Sequence, residues 1–495
     1  MKGSSRERAS HVNTGTGMER ADAACAPTRG PVFRHPKLTA TTERSDATAF
    51  GGLALAARLV AALGIDRAID RNLSLLRSHR PYRESDHVLT HVYNLFVGGT
   101  AIEDIADLQV SEPVRRILGA QQIPDPTTAG DFLRRFDEQS VANLDRAIDE
   151  VQRRAWKKQR ARKKGSIGLV DLDSHVHHVY GNQKQGADFT YKGGFGYHPL
   201  VVSLAETQEC LRIINRPGNV ASAEGAADCV RELAPLLRSR FERVIFRGDS
   251  AFASQAIFDA CEDEGMHCAM VSPRHANFDR LADEIPESRW KTFRAKGRQS
   301  AGPQARRKRG KNVRRHHARR RGKRDLKLER QWIAEVPYRP ARSERTYRLI
   351  IRRQRIEESV QGELFDLWRY RFVLTNLPRS TSAEEAVRLT YQRCDQENVI
   401  EQLQNGVAAM RMPTGTLLAN HAFLICARIA HNMKAWLAAL ALPRETMRWE
   451  WKRFRRAFVY LSARVTKTSR QTLIRFADSH RFAETTVRGI TRLQT

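Results

Sequence analysis

Three stretches of this sequence carry carboxylates at spacings that could act together. In VDLDS, Asp171 and Asp173 stand two positions apart after a branched apolar run, which puts both on one face of a strand. In FERVIFRGDS a second apolar run ends at Asp249. In YQRCDQENVIEQLQNG, Tyr391 to Gly406, the residues Arg393, Glu397, Glu401 and Gln404 recur three or four positions apart and would share one helix face, with Ile400 and Leu403 beside it. Carboxylates gathered at one point repel and raise one another's pKa unless a cation lies between them. Two divalent ions about 4 Å apart would meet that need, activating an attacking oxygen and stabilising a leaving one. All-oxygen ligands suit Mg²⁺ or Mn²⁺ better than Zn²⁺. Taken singly, each stretch has a plainer reading: a solvated helix face, turn aspartates, and a strand-ending Asp249 that caps the next helix.

Positioning these groups requires a sheet whose first and fourth strands are neighbours, with a helix crossing its end. The pattern from Ser166 supplies strands and helices for a mixed sheet. SIGLVDLDSHVHHVYG reads as a strand, Tyr197 to Thr207 as a second and Cys210 to Asn219 as a third, the last two joined as a hairpin. A helix over Ala221 to Arg240 precedes the strand ending at Asp249. Ser254 to Glu264 is a helix and Met266 to Ser272 a strand, giving a mixed sheet flanked by helices. Upstream, apolar helical spacing runs from Phe50 to about residue 165, with Gly98 closing one helix and Thr127 or Thr128 and Ser140 available as caps. Residues 1–46 show no hydrophobic period and read as a disordered basic tail.

From Pro273 to Trp368 the pattern loosens, with strand-like segments at Thr346 to Glu357 and Tyr370 to Leu377. The block 306–324 contains twelve Lys or Arg and cannot pack as a core. Its Arg306, Arg307, Lys308, Arg309, Arg314, Arg315, Arg319, Arg320 and Arg321 are the candidate DNA-backbone contacts. Ala383 to Gly406 reads as helix. Thr416 to Leu442 is apolar but carries Asn420, His421, Arg428, His431, Asn432 and Lys434, so it is expected as a buried helix and not a membrane span. A basic helical tail follows.

Net charge is +30 in 495 residues, which points to a polyanionic partner, and its spread over many blocks favours nucleic acid over a membrane surface. A hydrophobic fraction of 41% is enough for a sizeable core. The N-terminus has no signal-peptide pattern, and the seven cysteines form no CxxC pair, as in a reduced cytosolic chain. His175, His177 and His178 invite a zinc reading that no second ligand cluster supports. Trp332 could stack on a displaced base but is more simply a core residue. The glycines of YKGGFGY make a turn, since a strand follows where a phosphate cradle needs a helix.

The motifs VDLDS, FRGDSAFAS and YQRCDQENVIEQL, in that order on those elements, resemble the ribonuclease-H-like core of DDE transposases of bacterial insertion sequences. The last is similar to that family's Tyr–Arg–Glu signature helix, and the resemblance spans roughly residues 50 to 440. It implies Asp173, Asp249 and Glu397 as catalytic residues and metal ligands for two Mg²⁺ or Mn²⁺ ions, with Arg393 facing a DNA phosphate. Asp171 remains the rival of Asp173 and Glu401 of Glu397. Asp173 is preferred because Ser174 follows it, and Glu397 by its register from Arg393. One and two turns after Glu397, where the family often carries Lys, this chain has Glu401 and Gln404.

The organisation implied is a tail (1–46), a helical DNA-binding or dimerisation domain (47–165), a first core part (166–272), a basic insertion subdomain (273–368), a second core part with the glutamate helix (369–440) and a basic helical tail (441–495). The function implied is DNA cleavage and strand transfer at terminal inverted repeats, on double-stranded DNA, by a homodimer in a synaptic complex in the bacterial cytoplasm. The alternatives are a metal-dependent nuclease or resolvase on the same fold, and a non-catalytic DNA-binding descendant.

Overall fold

The computed structural model describes residues 38–159, 166–181, 183–293, 327–341, 343–360, 363–468 and 471–494. The basic block 306–324, with all nine of its candidate contacts, lies outside the described residues, as does most of the 1–46 tail. Met1–Ser45 is a unit of its own, whose described residues 38–45 carry no helix or strand. The rest of the description concerns Asp46–Thr495.

A two-residue strand β1 (Ala47–Thr48) leads into seven helices: α1 (Leu53–Leu63), α2 (Ile65–Asn72), α3 (Glu84–Val97), α4 (Ile105–Val110), α5 (Glu112–Leu118), α6 (Pro126–Leu133) and α7 (Glu138–Lys158). Gly98 closes α3 with φ 110°, a conformation that glycine adopts without a side-chain penalty. The caps of α6 and α7 are aspartates two or three residues before the expected hydroxyls. Asp125 accepts the Thr128 amide at 3.0 Å and Asp137 the Ser140 amide at 2.8 Å. A carboxylate there satisfies a free amide and also meets the positive end of the helix dipole.

The middle of the chain contains β2 (Ile167–Ser174), β3 (His177–His178), β4 (Asp188–Phe189), β5 (Phe195–Tyr197), β6 (Leu200–Leu204), β7 (Glu209–Ile214), α8 (Ala226–Arg238), β8 (Arg243–Gly248), α9 (Gln255–Asp263), β9 (His267–Ser272) and α10 (Ala276–Asp283). Then come β10 (Lys291–Thr292), β11 (Lys327–Tyr338), β12 (Tyr347–Val360) and β13 (Glu363–Thr375). One nine-stranded sheet runs β10-β11-β12-β13-β9-β8-β2-β6-β7. β8 is parallel to β2 and β9, and every other neighbour is antiparallel. This is the mixed sheet expected, with its first and fourth long strands side by side.

The two-residue period sorts its side chains. Val170, Leu172, Val244 and Phe246 enter one core with α8 and α9, through residues such as Val230, Leu233 and Phe258. Ile245, Ala269 and Val373 face the other side, toward Ala386 and Val387. Where described, residues 273–368 extend the sheet outward from β9, and β13 spans the expected boundary at 368. The strand-like segment expected at Thr346 to Glu357 is β12, whose Leu349 and Ile351 fill one core while Ile350 fills the other.

The C-terminal part comprises α11 (Ala383–Tyr391), α12 (Cys394–Glu401), α13 (Leu417–Leu440), α14 (Trp451–Phe458), β14 (Ala463–Lys467), β15 (Thr472–Phe476) and α15 (Ala483–Arg492). The expected helical tail therefore contains a hairpin, β14–β15, onto which β1 pairs. The helix α13 is buried almost throughout, and several of its polar groups are matched. Asn432 donates to the Cys210 carbonyl at 2.8 Å and Arg428 to the same oxygen at 3.1 Å. Among the described residues no helix is long and apolar enough to cross a membrane. Cys210, Cys229, Cys261, Cys268 and Cys426 are buried and free.

The first seven helices do not own their core. Leu53, Leu59, Phe96, Leu144 and Ile148 pack in one cluster with Leu424, Ile425, Trp436, Phe454 and Phe458. The seam is tightest at Gly52, where an added Cβ would stand 1.8 Å from the Phe458 carbonyl oxygen. Backbone cannot yield there as a flexible side chain would. Gly52→Ala is therefore expected to destabilise the protein by about 3 kcal/mol, read as a lowered urea midpoint at unchanged m-value.

Candidate active site

The site is built where β2 meets β8. Their parallel register sets Asp171 opposite Arg247, so the same register carries Asp173 toward Asp249, just beyond the end of β8. The period of two keeps Asp171, Asp173 and Arg247 off the face that carries Val170, Leu172 and Phe246.

The two aspartates that spacing could not separate have different surroundings. Asp171 is buried, and both its oxygens accept from Arg247, at 2.7 and 2.8 Å. Arg247 also donates to the Leu389 carbonyl at 2.9 Å, in the last turn of α11. This pair, 1% exposed on each side, is a satisfied internal charge that ties helix to sheet. The Asp173 side chain is 23% exposed. One of its oxygens accepts the Ser174 amide at 2.8 Å. Burial pushes its carboxyl above the usual carboxylate range. Arg393 and the Ser174 amide oppose that rise, while Asp249 and Glu397 add to it. Asp173 thus feels the charge of both other expected carboxylates.

Arg393 does not sit as expected. Its guanidinium turns inward, donating to the Leu172 carbonyl at 2.8 Å and lying 3.7 Å from a carboxylate oxygen of both Asp171 and Asp173. To do so it leaves the helix. α11 stops at Tyr391, Arg393 has φ −101° and ψ 14°, and α12 begins at Cys394. The expected continuous helix over 383–406 is broken there and changes again at Gln402–Gly406, a π-helical turn. Arg393, Glu397, Glu401 and Gln404 consequently do not form one uninterrupted stripe. What seats α12 is Gln396: its amide nitrogen donates to the Val201 carbonyl at 3.3 Å, and its oxygen takes the Ser203 hydroxyl. The next residue, Glu397, is exposed, as is Glu401.

Asp249 is exposed, and it also plays the plainer part, accepting the Ala251 amide at 2.9 Å as the cap of a short turn. Neither Asp249 nor Glu397 has an ion-pair partner among the described residues. A set of three carboxylates, two of them open and the third raised by burial and further by the other two, fits hard divalent cations in donor chemistry. Among the described residues no three His, Cys, Asp or Glu, these three included, stand close enough together to hold a metal ion as they are placed. That also removes support for zinc at His175, His177 and His178. Burial lowers His175, and burial and the neighbouring histidines lower His177 to about 4.

Directly after Asp173 the chain forms a small sheet of order β3-β5-β4. It presents Tyr180, Phe189 and Tyr191 at 98%, 71% and 67% exposure, a share of aromatic surface that needs a reason. Its base is anchored beside the site. His198 donates from Nδ1 to the Val220 carbonyl at 3.0 Å, which leaves Nε2 to accept the Ser174 hydroxyl at 2.9 Å. The glycine-rich turn before β5 is as expected. Trp332 packs, its ring centroid 5.5 Å from that of Trp368.

Sequence reasoning missed Arg247, Gln396, His198 and the aromatic flap. Arg247 did leave a signal: it is a charged residue inside the apolar run of β8, in register with an acid inside the apolar run of β2. The others are polar or aromatic residues with nothing to mark them before their partners are known.

Residues 31–495 match the family model described as Transposase DDE domain group 1. Among solved structures the chain is similar to one described as the cryo-EM structure of the piggyBac transposase synaptic complex with hairpin DNA. That similarity has 10% identity, covers 82% of both chains and has a TM-score of 0.34. None of the curated proteins matches the chain.

Proposed function

Because the chain belongs to the transposase DDE domain family, we propose that Asp173, Asp249 and Glu397 are the catalytic carboxylates with which it cuts DNA at terminal inverted repeats and joins the freed ends to a target. The observation that supports this reading is the parallel register of β2 and β8, which carries Asp173 toward Asp249; the Asp173 carboxyl is raised chiefly by burial and further by Asp249 and Glu397. Two Mg²⁺ or Mn²⁺ ions held by these three residues would neutralise that repulsion and supply the charge that activates an attacking oxygen and stabilises a leaving one.

The chain's own groups divide the remaining work. The Asp171–Arg247 pair fixes β2 against β8 and α11, so the carboxylates stand on rigid elements, as phosphoryl transfer by positioning requires. Gln396 fixes the position of α12 against β6, and with it Glu397. Arg393 screens Asp173 from inside the fold, so it is a positioning residue here and not a phosphate contact. Tyr180, Phe189 and Tyr191 on the flap offer ring faces to unpaired bases next to the cut, an interaction worth about 1–3 kcal/mol per base. The net charge of +30 supplies sequence-independent attraction for the DNA backbone.

The test uses the full-length protein, duplexes ending in the inverted repeats that flank its reading frame, and a supercoiled target. With Mg²⁺ the expected products are 3′-hydroxyl ends and joined target molecules, neither of which forms in EDTA. Hydrolysis without joining would make the protein a nuclease. Binding without any cut would make it a non-catalytic descendant.

A further inference from the structure

The helix α14 has two faces with opposite commitments. Inward, Trp451, Phe454 and Phe458 are buried. Arg455 donates to the Leu95 carbonyl at 2.7 Å, to the Phe96 carbonyl at 3.0 Å and to the Gly406 carbonyl. The Trp451 amide donates to the Gln402 side chain at 2.7 Å. Gln402 and Gly406 bound the π-helical turn that ends the Glu397 helix. An added Cβ at Gly406 would stand 2.3 Å from the Trp451 ring, so glycine alone permits this approach. Outward, the same helix meets the loop before α15 in an open cleft of about 440 Å³. Trp449, Lys452, Arg453, Arg456, Arg481 and Phe482 line it.

The cleft's charge is uncompensated. Lys452, Arg453, Arg456 and Arg481 are exposed, and none pairs with a carboxylate among the described residues. Exposed arginines elsewhere do pair, as Arg71 with Glu150, Arg238 with Glu264 and Arg345 with Asp263. Glu450 is the one acid in the lining. Four cations this close repel within a Debye length of roughly 8–10 Å, a cost that a polyanion reverses. The cleft is also held in shape. Arg453 lies 3.7 Å above the Trp449 ring and Arg481 5.4 Å above that of Phe482. The His480 ring is fixed at both nitrogens, by the Arg456 carbonyl at 3.2 Å and the Phe482 amide at 3.3 Å. Stacked guanidinium groups lose less freedom when they engage a phosphate.

We propose that this cleft between α14 and the loop before α15 binds the phosphodiester backbone of duplex DNA and, through the hydrogen bonds from α14 to the π-helical turn, sets that DNA in register with Glu397. The choice of duplex DNA over another polyanion rests on the proposed function. The site itself rests on the unpaired cations and the shape of the cleft.

The test compares the full-length protein with Arg453→Gln/Arg456→Gln/Arg481→Gln, using a duplex of arbitrary sequence over a range of salt. Each phosphate contact adds about 0.9 to the slope of log affinity against log salt, so the variant should bind with a slope shallower by about 2–3. The corresponding Lys variant should keep the wild-type slope, which separates lost charge from lost fold. An unaltered slope in the Gln variant would overturn the proposal. So would poly-glutamate competing with the duplex at equal charge, which would assign the cleft to an acidic protein. The two readings fail separately. Efficient joining with an unaltered slope leaves the proposed function standing without the cleft. The expected slope change in a protein that never cuts does the reverse.

Discussion

Replacing Asp173 with Asn is expected to lower the rate of DNA cleavage by about 10³-fold or more, equivalent to roughly 4 kcal/mol in the barrier, while duplex binding persists. Asp249→Asn and Glu397→Gln should do the same, and Glu401→Gln should cut normally. The Asp173 variant should not pay in stability. Folding raises this carboxyl above its ordinary value, chiefly by burial and further by Asp249 and Glu397. A carboxyl raised on folding binds its proton more tightly in the native state than in the unfolded chain. The wild type therefore loses stability as pH climbs from the unfolded value through the raised one, and the Asn variant escapes that loss. Urea melts at acid and neutral pH would show the variant gaining on the wild type as pH rises. A variant that cuts at the wild-type rate would remove Asp173 from the site.

Asp171, two residues away, should behave in the opposite manner. Its substitution by Asn leaves the Arg247 guanidinium buried at 1% exposure without its ionic partner. Removing one member of a buried pair costs about 3–5 kcal/mol, because the remaining charge has no solvent to return to. Replacing both members, as Asp171→Leu with Arg247→Met, should recover much of that loss. Cleavage should fall in the Asp171 variant as well, but together with the melting temperature. Asp173→Asn would separate the two readouts. A stable, inactive Asp171 variant would exchange the roles assigned to the two aspartates.

That contrast marks the boundary of what the sequence makes legible. The strands β2, β6, β7, β8 and β9 announce themselves by branched apolar runs, and the family resemblance implies that the ends of β2 and β8 meet. Which aspartate is spent internally depends on Arg247, 76 residues away, and only the register across the sheet pairs them. The helix of Glu397 looks continuous because helical spacing records side-chain type and not reach. Arg393 has to descend to Leu172, and the backbone breaks to let it. In β12 the strand of RLIIRRQRIE is legible, but not which of its arginines are buried. Arg353 is buried, its charge met by Glu287 at 2.6 Å and the Trp368 ring at 4.2 Å. Composition misleads wherever a long cation finds an acid and a ring.

The core shared by α1–α7 and α13–α15 also decides when this protein can come into being. A ribosome delivers the first seven helices with their apolar faces and then the whole sheet, long before α13 arrives to cover those faces. A domain that normally settles as it emerges must here wait, exposed, for its last partner. The strand of Asp173 and the helix of Glu397 both lie inside that interval. A chain interrupted before Leu417 would therefore carry all three carboxylates, uncovered apolar surface for chaperones and proteases to act on, and no frame in which to hold the site.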